Sequence, residues 1–327
     1  VSTSNALSGE APRFMIRGGS SISMSNDPIY IVDGAIREDM SGINTNDIES
    51  IEVLKDAASA GIYGARASNG VILVTTKKGS AAKGIQLTVD TQVGFQNPST
   101  SWNILNSRDY LNFIRPAISE ALANDKEHPA ELLLSGPNAY GTGNTSSKSI
   151  YSTRYLDWGG TVPDGYSWMA DPVDPTKVII FQDNDWQGKW FSTALWHKEY
   201  IGVNGSSDRV KYSASASYTG DDGIIAMSDY NVFTMHGNTS FKITDNLEAG
   251  AAFDMSRQKK HIPVDNYYQC IGRGLIAAPT AMEKNLDGEW NQLVSTNKNA
   301  HSPAWYERFY SRQNSTSRHS GAFNLKW

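Results

Sequence analysis

Apolar and polar side chains alternate along several segments of this chain, and this period of two constrains the fold more than any other feature. The alternation is unbroken over residues 210–219 and recurs over 232–243, 247–256 and 85–95, more weakly around 201–203. Successive side chains of a β-strand point to opposite faces, so each segment predicts a strand with one apolar face. An ordinary antiparallel sheet with one dry and one solvated face gives the same pattern.

The turns between these segments favour a membrane barrel over a soluble sheet. Short connections at 206–208 and 244–246 alternate with long ones at 220–229 and 259–316. Transmembrane β-barrels have strands of roughly 10 alternating residues, short turns at one end and longer loops at the other. A soluble β-rich carbohydrate-binding module remains the alternative, and its apolar rows would then form an internal core.

The stretch 47–79 reads as strand, short helix, tight turn and strand. Asn69 and Gly70 tolerate a positive φ before the β-branched run that begins at Val71. The pattern predicts a helix from Asp56 to Tyr63 that packs on a small sheet core. That core is predicted to consist of Ile51, Val53, Ile72 and Val74.

An arginine follows this predicted helix. Arg66 lies at the turn, and an unpaired buried charge is costly, so we expect a carboxylate partner. Glu49 and Glu52 are the nearest candidates in sequence.

Together with 28–34 and 16–18, the stretch 47–79 resembles the plug domain of TonB-dependent outer-membrane transporters, and it is most similar to the SusC/RagA family. Less specific similarity extends through 185–187 and 220–224 to residue 258. The resemblance implies an α+β plug domain over residues 1–80, followed by antiparallel transmembrane β-barrel strands over 81–327.

The same resemblance implies that these strands are only part of a barrel. Barrels large enough to hold a plug have about 22 strands, and an open strand edge is costly in lipid. Long extracellular loops are expected at 96–196 and 259–315. No signal peptide precedes Val1, so we expect a longer gene product, with the TonB-binding peptide before Val1.

The function implied by the resemblance is energised import of glycans or oligopeptides across the outer membrane of a Gram-negative bacterium. The implied partners are a SusD-like surface lipoprotein that acts as a lid, TonB with its inner-membrane motor, the outer-membrane lipid and the substrate. The formal net charge of −5 provides no basic stripe, which argues against nucleic acid as a partner.

The sequence contains no catalytic motif, so we predict that the chain is not an enzyme and needs no cofactor or metal. The six histidines have no H-x-x-x-H spacing and there is no G-x-S-x-G elbow, so we interpret all six as surface or loop residues. A lone cysteine, Cys270, cannot form a disulfide within the chain or a zinc site. A hydrolase whose catalytic residues lie elsewhere in a longer chain remains a second alternative.

Candidate substrate contacts lie at the front of the plug and in the long insertion. Aromatic faces can stack on sugars or pack on peptide side chains, because a large ring buries much area at small entropic cost. The plug surface facing out is predicted to meet substrate first. The candidates are Ser20, Ser21, Ser23, Asn26, Asp27, Trp102, Trp158 and Trp168.

The tryptophans have an alternative interpretation, in which they pack the insertion itself or form the interfacial aromatic girdle of the barrel. Trp190 and Trp196, beside a predicted strand start, favour the girdle. Asp183, Asp185 and Gly188 are similar to the front of a calcium loop, but Ala194 stands where the bidentate Glu belongs, so a solvated turn is favoured.

The alternation also predicts which side chains face lipid. The expected lipid-side residues are Tyr212, Ala214, Ala216, Leu247, Ala249 and Phe253. Ser215 is expected to face the lumen, where an arginine should be tolerated better than at Ala214.

Overall fold

The structure is a computed structural model. It describes residues 27–37, 39–40, 42–55, 63, 69–79, 84–99, 102–124, 147–157, 159–262, 271–272, 274–292, 301–310 and 312–327. Within these ranges, no helix combines the length and the apolar character needed to cross a membrane.

The first sheet, here called the plug sheet, has four strands in the order β2-β1-β4-β3. They are β1 (Ile29–Val32), β2 (Ala35–Arg37), β3 (Ile48–Leu54) and β4 (Val71–Thr76). The central strands β1 and β4 pair in parallel, and β2 and β3 flank them in antiparallel pairs. Central parallel strands are covered on both faces, which is why β1 and β4 are nearly continuous apolar runs.

Two apolar clusters cover the two faces of the plug sheet. Tyr30, Val32, Ile72 and Val74 form one, against which Met40, Ile43 and Ile48 pack. Ile31 and Val71 form the other. The prediction that Ile72 and Val74 are buried is confirmed.

The prediction that Ile51 and Val53 share this core is wrong. Ile51 is 55% exposed and Val53 is 43% exposed. Both lie beside Val74 and Ile72 in the register, but β3 is one of the two edge strands of the sheet and has a paired strand on one side only. Most of the predicted helix, as well as Arg66 with its expected ion pair, lies outside the described residues.

The second sheet, here called the wall sheet, has six strands in the order β13-β12-β11-β10-β9-β5, and each neighbouring pair is antiparallel. Its strands are β5 (Gly84–Gln96), β9 (Ala194–Ser206), β10 (Val210–Asp221), β11 (Tyr230–Thr244), β12 (Leu247–Ile262) and β13 (Arg312–Lys326).

The two faces of the wall sheet have opposite character, as the alternation predicts. Ser213, Ser215 and Ser217 are at most 8% exposed and lie on the face toward the plug sheet, here called the inner face. Ala214 and its neighbours form the outer face, where the register aligns Ala214 with Val203 and Gly237. All six residues predicted to face lipid lie on this outer face, namely Tyr212, Ala214, Ala216, Leu247, Ala249 and Phe253.

Short and long connections alternate along the wall sheet, as predicted. Short turns join β9 to β10 and β11 to β12, whereas longer segments join β10 to β11 and β12 to β13. Strands β12 and β13 extend into the segment predicted as the loop 259–315, to Ile262 and from Arg312.

The long connections fold against each other rather than extending as separate loops. The connection between β5 and β9 carries α1 (Ser107–Ala123), a three-stranded sheet and α2 (Trp186–Trp190). The connection between β12 and β13 carries α3 (Pro303–Tyr310). The small sheet has the order β6-β8-β7, with β6 (Arg154–Tyr155), β7 (Ser167–Ala170) and β8 (Val178–Phe181). A bridge between Tyr151 and Ala281 joins the two connections, so together they form one folded cap.

Ala214 is exposed on the outer face near the middle of β10. A larger apolar side chain should be tolerated better at this position than a charged one. In the full-length receptor in lipid, Ala214→Arg should lower the free energy of unfolding by about 2–4 kcal/mol, because a charge near the bilayer midplane is costly. Ala214→Leu is the matched control and should cost far less. Equal costs for Arg and Leu, measured by denaturant unfolding in vesicles, would contradict a lipid-facing position.

The prediction that arginine is tolerated at Ser215 is wrong. Ser215 is buried and its hydroxyl donates to Asp47 of the plug at 2.6 Å. The plug covers the inner face of the wall sheet at this point, so an arginine side chain has no space there.

Candidate functional site: the interface between plug and wall

A short turn of the plug inserts a carboxylate into the inner face of the wall sheet. The 3-10 turn Thr45–Asp47 begins after Asn44, whose side chain accepts from the backbone N–H of Asn46 at 2.9 Å. This cap directs Asp47, which is 4% exposed, toward the wall. Asp47 accepts hydrogen bonds from the Tyr200 hydroxyl at 3.0 Å and from the Ser215 hydroxyl at 2.6 Å.

The same turn reaches two further positions on the wall sheet. The Asn46 side-chain amide donates to Asp90 of β5 at 3.0 Å. The Lys198 ammonium of β9 donates to the Thr45 hydroxyl at 3.3 Å. One turn of the plug is therefore bonded to three adjacent wall strands, β5, β9 and β10.

Two ion pairs of opposite polarity join the plug residues before this turn to the wall sheet. Arg37 of the plug donates to Asp254 at 3.1 Å and to the Ser320 hydroxyl at 3.0 Å, and the Arg37–Asp254 pair is mostly buried. In the opposite sense, Arg318 of the wall donates to Asp39 of the plug at 3.0 Å. The plug and the wall therefore each contribute one basic and one acidic side chain to these two ion pairs.

Asp254 has a third contact, to a buried histidine of the wall. His236 is 4% exposed, and its Nδ1 lies 2.8 Å from Asp254. The interpretation of all six histidines as surface or loop residues is wrong for His236. It lies on the inner face of β11, in register with Ser215, and the plug covers that face.

The backbone of the plug also comes very close to the wall at a glycine. Gly42 has φ +80°, and a Cβ built there would lie 2.5 Å from the Cβ of Ser256. Only glycine fits this approach, for conformation and for space. Residues 37–47, of which 38 and 41 lie outside the description, are called the anchor segment below.

Sequence reasoning did not find the anchor segment. Arg37 and Asp254 are separated by 217 positions and Asp39 and Arg318 by 279, and no local pattern pairs them. The available signal was a charged residue, Asp254, within the polar row of an alternating strand.

The predicted substrate residues do not converge within the described part of the chain. Ser20, Ser21, Ser23, Asn26 and Trp158 lie outside the described residues. Asp27 is exposed at the start of the described plug, whereas Trp102 and Trp168 lie in the cap.

Trp102 and Trp168 are both more than half exposed, but they occupy different parts of the cap. The Trp102 backbone N–H donates to Gln187 at 2.7 Å, and its ring lies 6.0 Å from that of Phe191. Trp168 lies on β7, where its carbonyl accepts from Arg108. Among the described residues, no ring contact joins the two tryptophans.

The aromatic-girdle interpretation is wrong for Trp190 and Trp196. Trp190 is fully buried in a cluster with Ile225 and Trp305, because α2 places it between the two long connections. Trp196 lies on the same face of β9 as Tyr200, which contacts the plug.

The acidic residues before Trp186 serve structural roles, and the proposed solvated turn is instead the start of a helix. Asp185 caps α2 by accepting from the backbone N–H of Gly188 at 2.8 Å. Asp183 accepts from the N–H of Ser107, the first residue of α1, at 2.7 Å. Among the described residues, no group of three His, Cys, Asp or Glu side chains could hold a metal ion.

A buried ion pair holds α1 onto the small sheet of the cap. Both side chains of the Arg115–Asp171 pair are completely buried. Arg115 Nε donates to Asp171 at 2.9 Å, and the Tyr155 hydroxyl donates to the same carboxylate at 2.9 Å. Burial opposes ionisation of Asp171, but hydrogen bonds from Arg115 and the Val173 N–H outweigh it and lower the pKa of that carboxyl.

Comparisons with known proteins agree with this architecture. A family model described as TonB-dependent Receptor Plug Domain matches residues 1–71. The solved structure of the RagAB peptide importer in the open-open state has a TM-score of 0.65 at 21% identity, and the likeness covers 94% of this chain and 33% of that one. The RagAB peptide transporter gives 0.64 at 24%, over 95% of this chain and 34% of that one. At these identities the likeness shows the fold.

Two curated relatives extend the match at the level of sequence. TonB-dependent receptor SusC of Bacteroides thetaiotaomicron is 30% identical over 247 residues, 73% of this chain and 19% of that protein. TonB-dependent receptor P26 of Formosa agariphila is 28% identical over 294 residues, 89% of this chain and 25% of that protein. The chain belongs to the SusC/RagA-type TonB-dependent receptors.

This receptor chain spans a quarter or less of the length of those two curated relatives. Its fold is that of a plug domain followed by antiparallel strands of a partial barrel, as predicted. Its relatives are named as receptors rather than enzymes, in agreement with the prediction from the missing catalytic motifs. The boundary at residue 80 stays a prediction.

The Arg115–Asp171 pair makes the cap sensitive to a single charge. Asp171→Asn should lower the free energy of unfolding of the cap by about 3–5 kcal/mol, because it leaves Arg115 buried without a counter-charge. Limited proteolysis of the full-length receptor, followed at 102–191, provides the measurement. The matched control is Asp174→Asn, whose carboxylate pairs with Lys177 at the surface and should matter little.

The Arg115–Asp171 pair makes the stability of the cap depend on pH. Because folding lowers the pKa of Asp171, its stabilisation is complete above the ordinary aspartate value of about 3.9 and is lost as pH falls toward the lowered native value. A cap as resistant to protease after Asp171→Asn as before would contradict this role.

Proposed function

We propose that this chain is the gating part of a transporter that imports glycans or oligopeptides across the outer membrane. The observation that carries the proposal is a plug sheet fastened to the polar inner face of a wall sheet whose outer face is apolar. A packed plug on the inner face blocks a lumen, so passage requires the plug to be displaced.

The outer face of the wall sheet supports a location in lipid. Large apolar side chains recur along it with no described cover, and Leu87, Ile201 and Phe323 are each more than half exposed. In water, an apolar surface of this extent would favour association with other molecules. A soluble carbohydrate-binding module would bury these rows, and none of them is buried here.

The lengths of the connections at the two ends of the wall sheet support an orientation in the membrane. Short turns mark the periplasmic end and long connections the external end. The folded cap therefore lies outside the cell, where a SusD-like surface lipoprotein would close over the mouth as a lid. TonB would act from the periplasmic side, on the peptide expected before Val1.

The cap also presents the aromatic side chains that we propose as substrate contacts. Trp102 and Trp168 are each more than half exposed, and hydrogen bonds of their backbone groups with Gln187 and Arg108 hold these positions in the cap, so part of each ring surface is open to stacking. Asp27 and the serine-rich segment before it, with Ser20, Ser21, Ser23 and Asn26, would meet substrate at the plug, and Trp158 at the cap. One solved relative is named a peptide importer, which supports an oligopeptide as one of the two substrate classes.

Energy supply separates a gated transporter from a passive pore. In cells that carry the full-length receptor but lack TonB, labelled substrate should bind at the surface and fail to accumulate inside. Uptake and surface binding, measured in parallel with and without TonB, should therefore respond differently.

A receptor lacking the plug region provides the matched control, because it should admit small solutes whether or not TonB is present. Substrate uptake at the full rate without TonB in the intact receptor would make the protein a passive porin and would contradict the gate.

A further inference from the structure

The side chains that β12 presents on the outer face change character at one point along the strand. The apolar part extends roughly 27 Å along the strand, at about 3.4 Å per residue. At a barrel tilt of about 35–45° this is about 20 Å across the membrane, close to the apolar band of about 25 Å that such barrels show. The outer-face residues in order are Leu247, Ala249, Ala251, Phe253 and Met255, followed by Arg257, Lys259 and His261.

Aromatic side chains mark the level of this change on the neighbouring strands. Arg257 is in register with Phe233 of β11, which is itself in register with Tyr218 of β10. Both rings are partly exposed on the outer face. Because membrane barrels carry aromatic girdles where lipid meets water, Arg257 lies at the external interface and Lys259 lies one step further out.

These two cations face outward without a counter-charge. Both are exposed, and within the part of the chain that the structure describes neither forms an ion pair or a side-chain hydrogen bond. The carboxylate of Asp229, at the same end of the face, already lies 2.8 Å from His261 Nδ1. Strand β12 lies between β11 and β13, so further strands of a complete barrel, added at the edges of the sheet, would not cover this point.

Two hydroxyl groups lie beside the cations on the next strand. Ser317 is in register with Arg257 and Ser315 with Lys259, and both serines are exposed. Side chains in register lie about 5 Å apart and alternate side chains on one strand about 7 Å apart. These four residues, here called the rim patch, therefore direct a guanidinium fork, an ammonium and two hydroxyls at one area the size of a phosphate group.

We propose that the rim patch binds the phosphate of an anionic lipid in the outer leaflet of the membrane. The inference rests on the proposed function, which places this face in the outer membrane. A lipid fits better than a soluble anion because the patch is continuous with the apolar band. Acyl chains of the same molecule would lie over Phe253 and Met255, whereas a free phosphate would gain only the charge contacts.

Titration of the full-length receptor in detergent with lipid A, a phosphorylated glycolipid, tests the site. Arg257→Gln combined with Lys259→Gln should weaken binding about 25-fold, because each cation near an anionic surface contributes a factor of about five. The swap Arg257→Lys with Lys259→Arg keeps both charges and should retain most of the affinity. The matched control, Arg209→Gln with Lys211→Gln, removes the same charge at the short-turn end of the sheet and should leave binding unchanged.

Dephosphorylated lipid A should bind equally to the native receptor and to the rim variant. Equal binding of both lipids by the native receptor, equal weakening by the control, or displacement of lipid A by inorganic phosphate would overturn the site. TonB-dependent uptake is measured separately on the same proteins. Full uptake without TonB, with the lipid dependence intact, would defeat the proposed function but not the site, so the two failures are distinguishable.

Discussion

The contact between the anchor segment and the wall is the interaction on which the rest of this structure depends. One side of the segment is apolar, with Met40 and Ile43 packed on the plug sheet, while the other bears Arg37 and Asp47, which meet the wall. Buried charged groups must be paired or hydrogen-bonded, so these contacts fix the position of the plug against the strands.

This contact explains why the inner face of the wall is small and polar. Serine hydroxyls from Ser215 and Ser320 supply the donors and acceptors that the anchor segment needs without keeping the plug at a distance. With that face committed to the plug, apolar side chains are left to the outer face, where alternate residues such as Ala214 lie. Each wall strand therefore carries two different constraints in one alternating sequence.

The strands of the wall sheet could be predicted because the signals for them lie within short stretches of sequence. Alternation over 210–219 predicts a strand and its sidedness, and the turns at 206–208 and 244–246 predict the pairing of neighbouring strands. The interface was not predictable, because Arg37 and Asp254 are brought together only by the fold. The exposure of Ile51 and Val53 was missed for a related reason, since apolar spacing does not show which strand of a small sheet lies at its edge.

The cap shows a further limit of reading tryptophans from sequence. Trp190 joins a core between two connections far apart in the chain, whereas Trp102 stays exposed beside it in the same region. Both occur in polar, glycine-rich surroundings, and only the packing of α3 against α2 separates a core residue from a candidate for substrate contact. Trp102 and Trp168 are proposed as substrate contacts because both are exposed to solvent.

The central claim, that the plug is held by its charges on the inner face of the wall, is tested most directly by a double-mutant cycle on Arg37 and Asp254 in the full-length receptor. The variants Arg37→Gln, Asp254→Asn and their combination would be compared by the free energy of unfolding. Contacting residues couple, so the double variant should cost less than the sum of the single variants by about 0.5–3 kcal/mol. Costs that add to within about 0.3–0.5 kcal/mol, the behaviour of distant sites, would contradict the account.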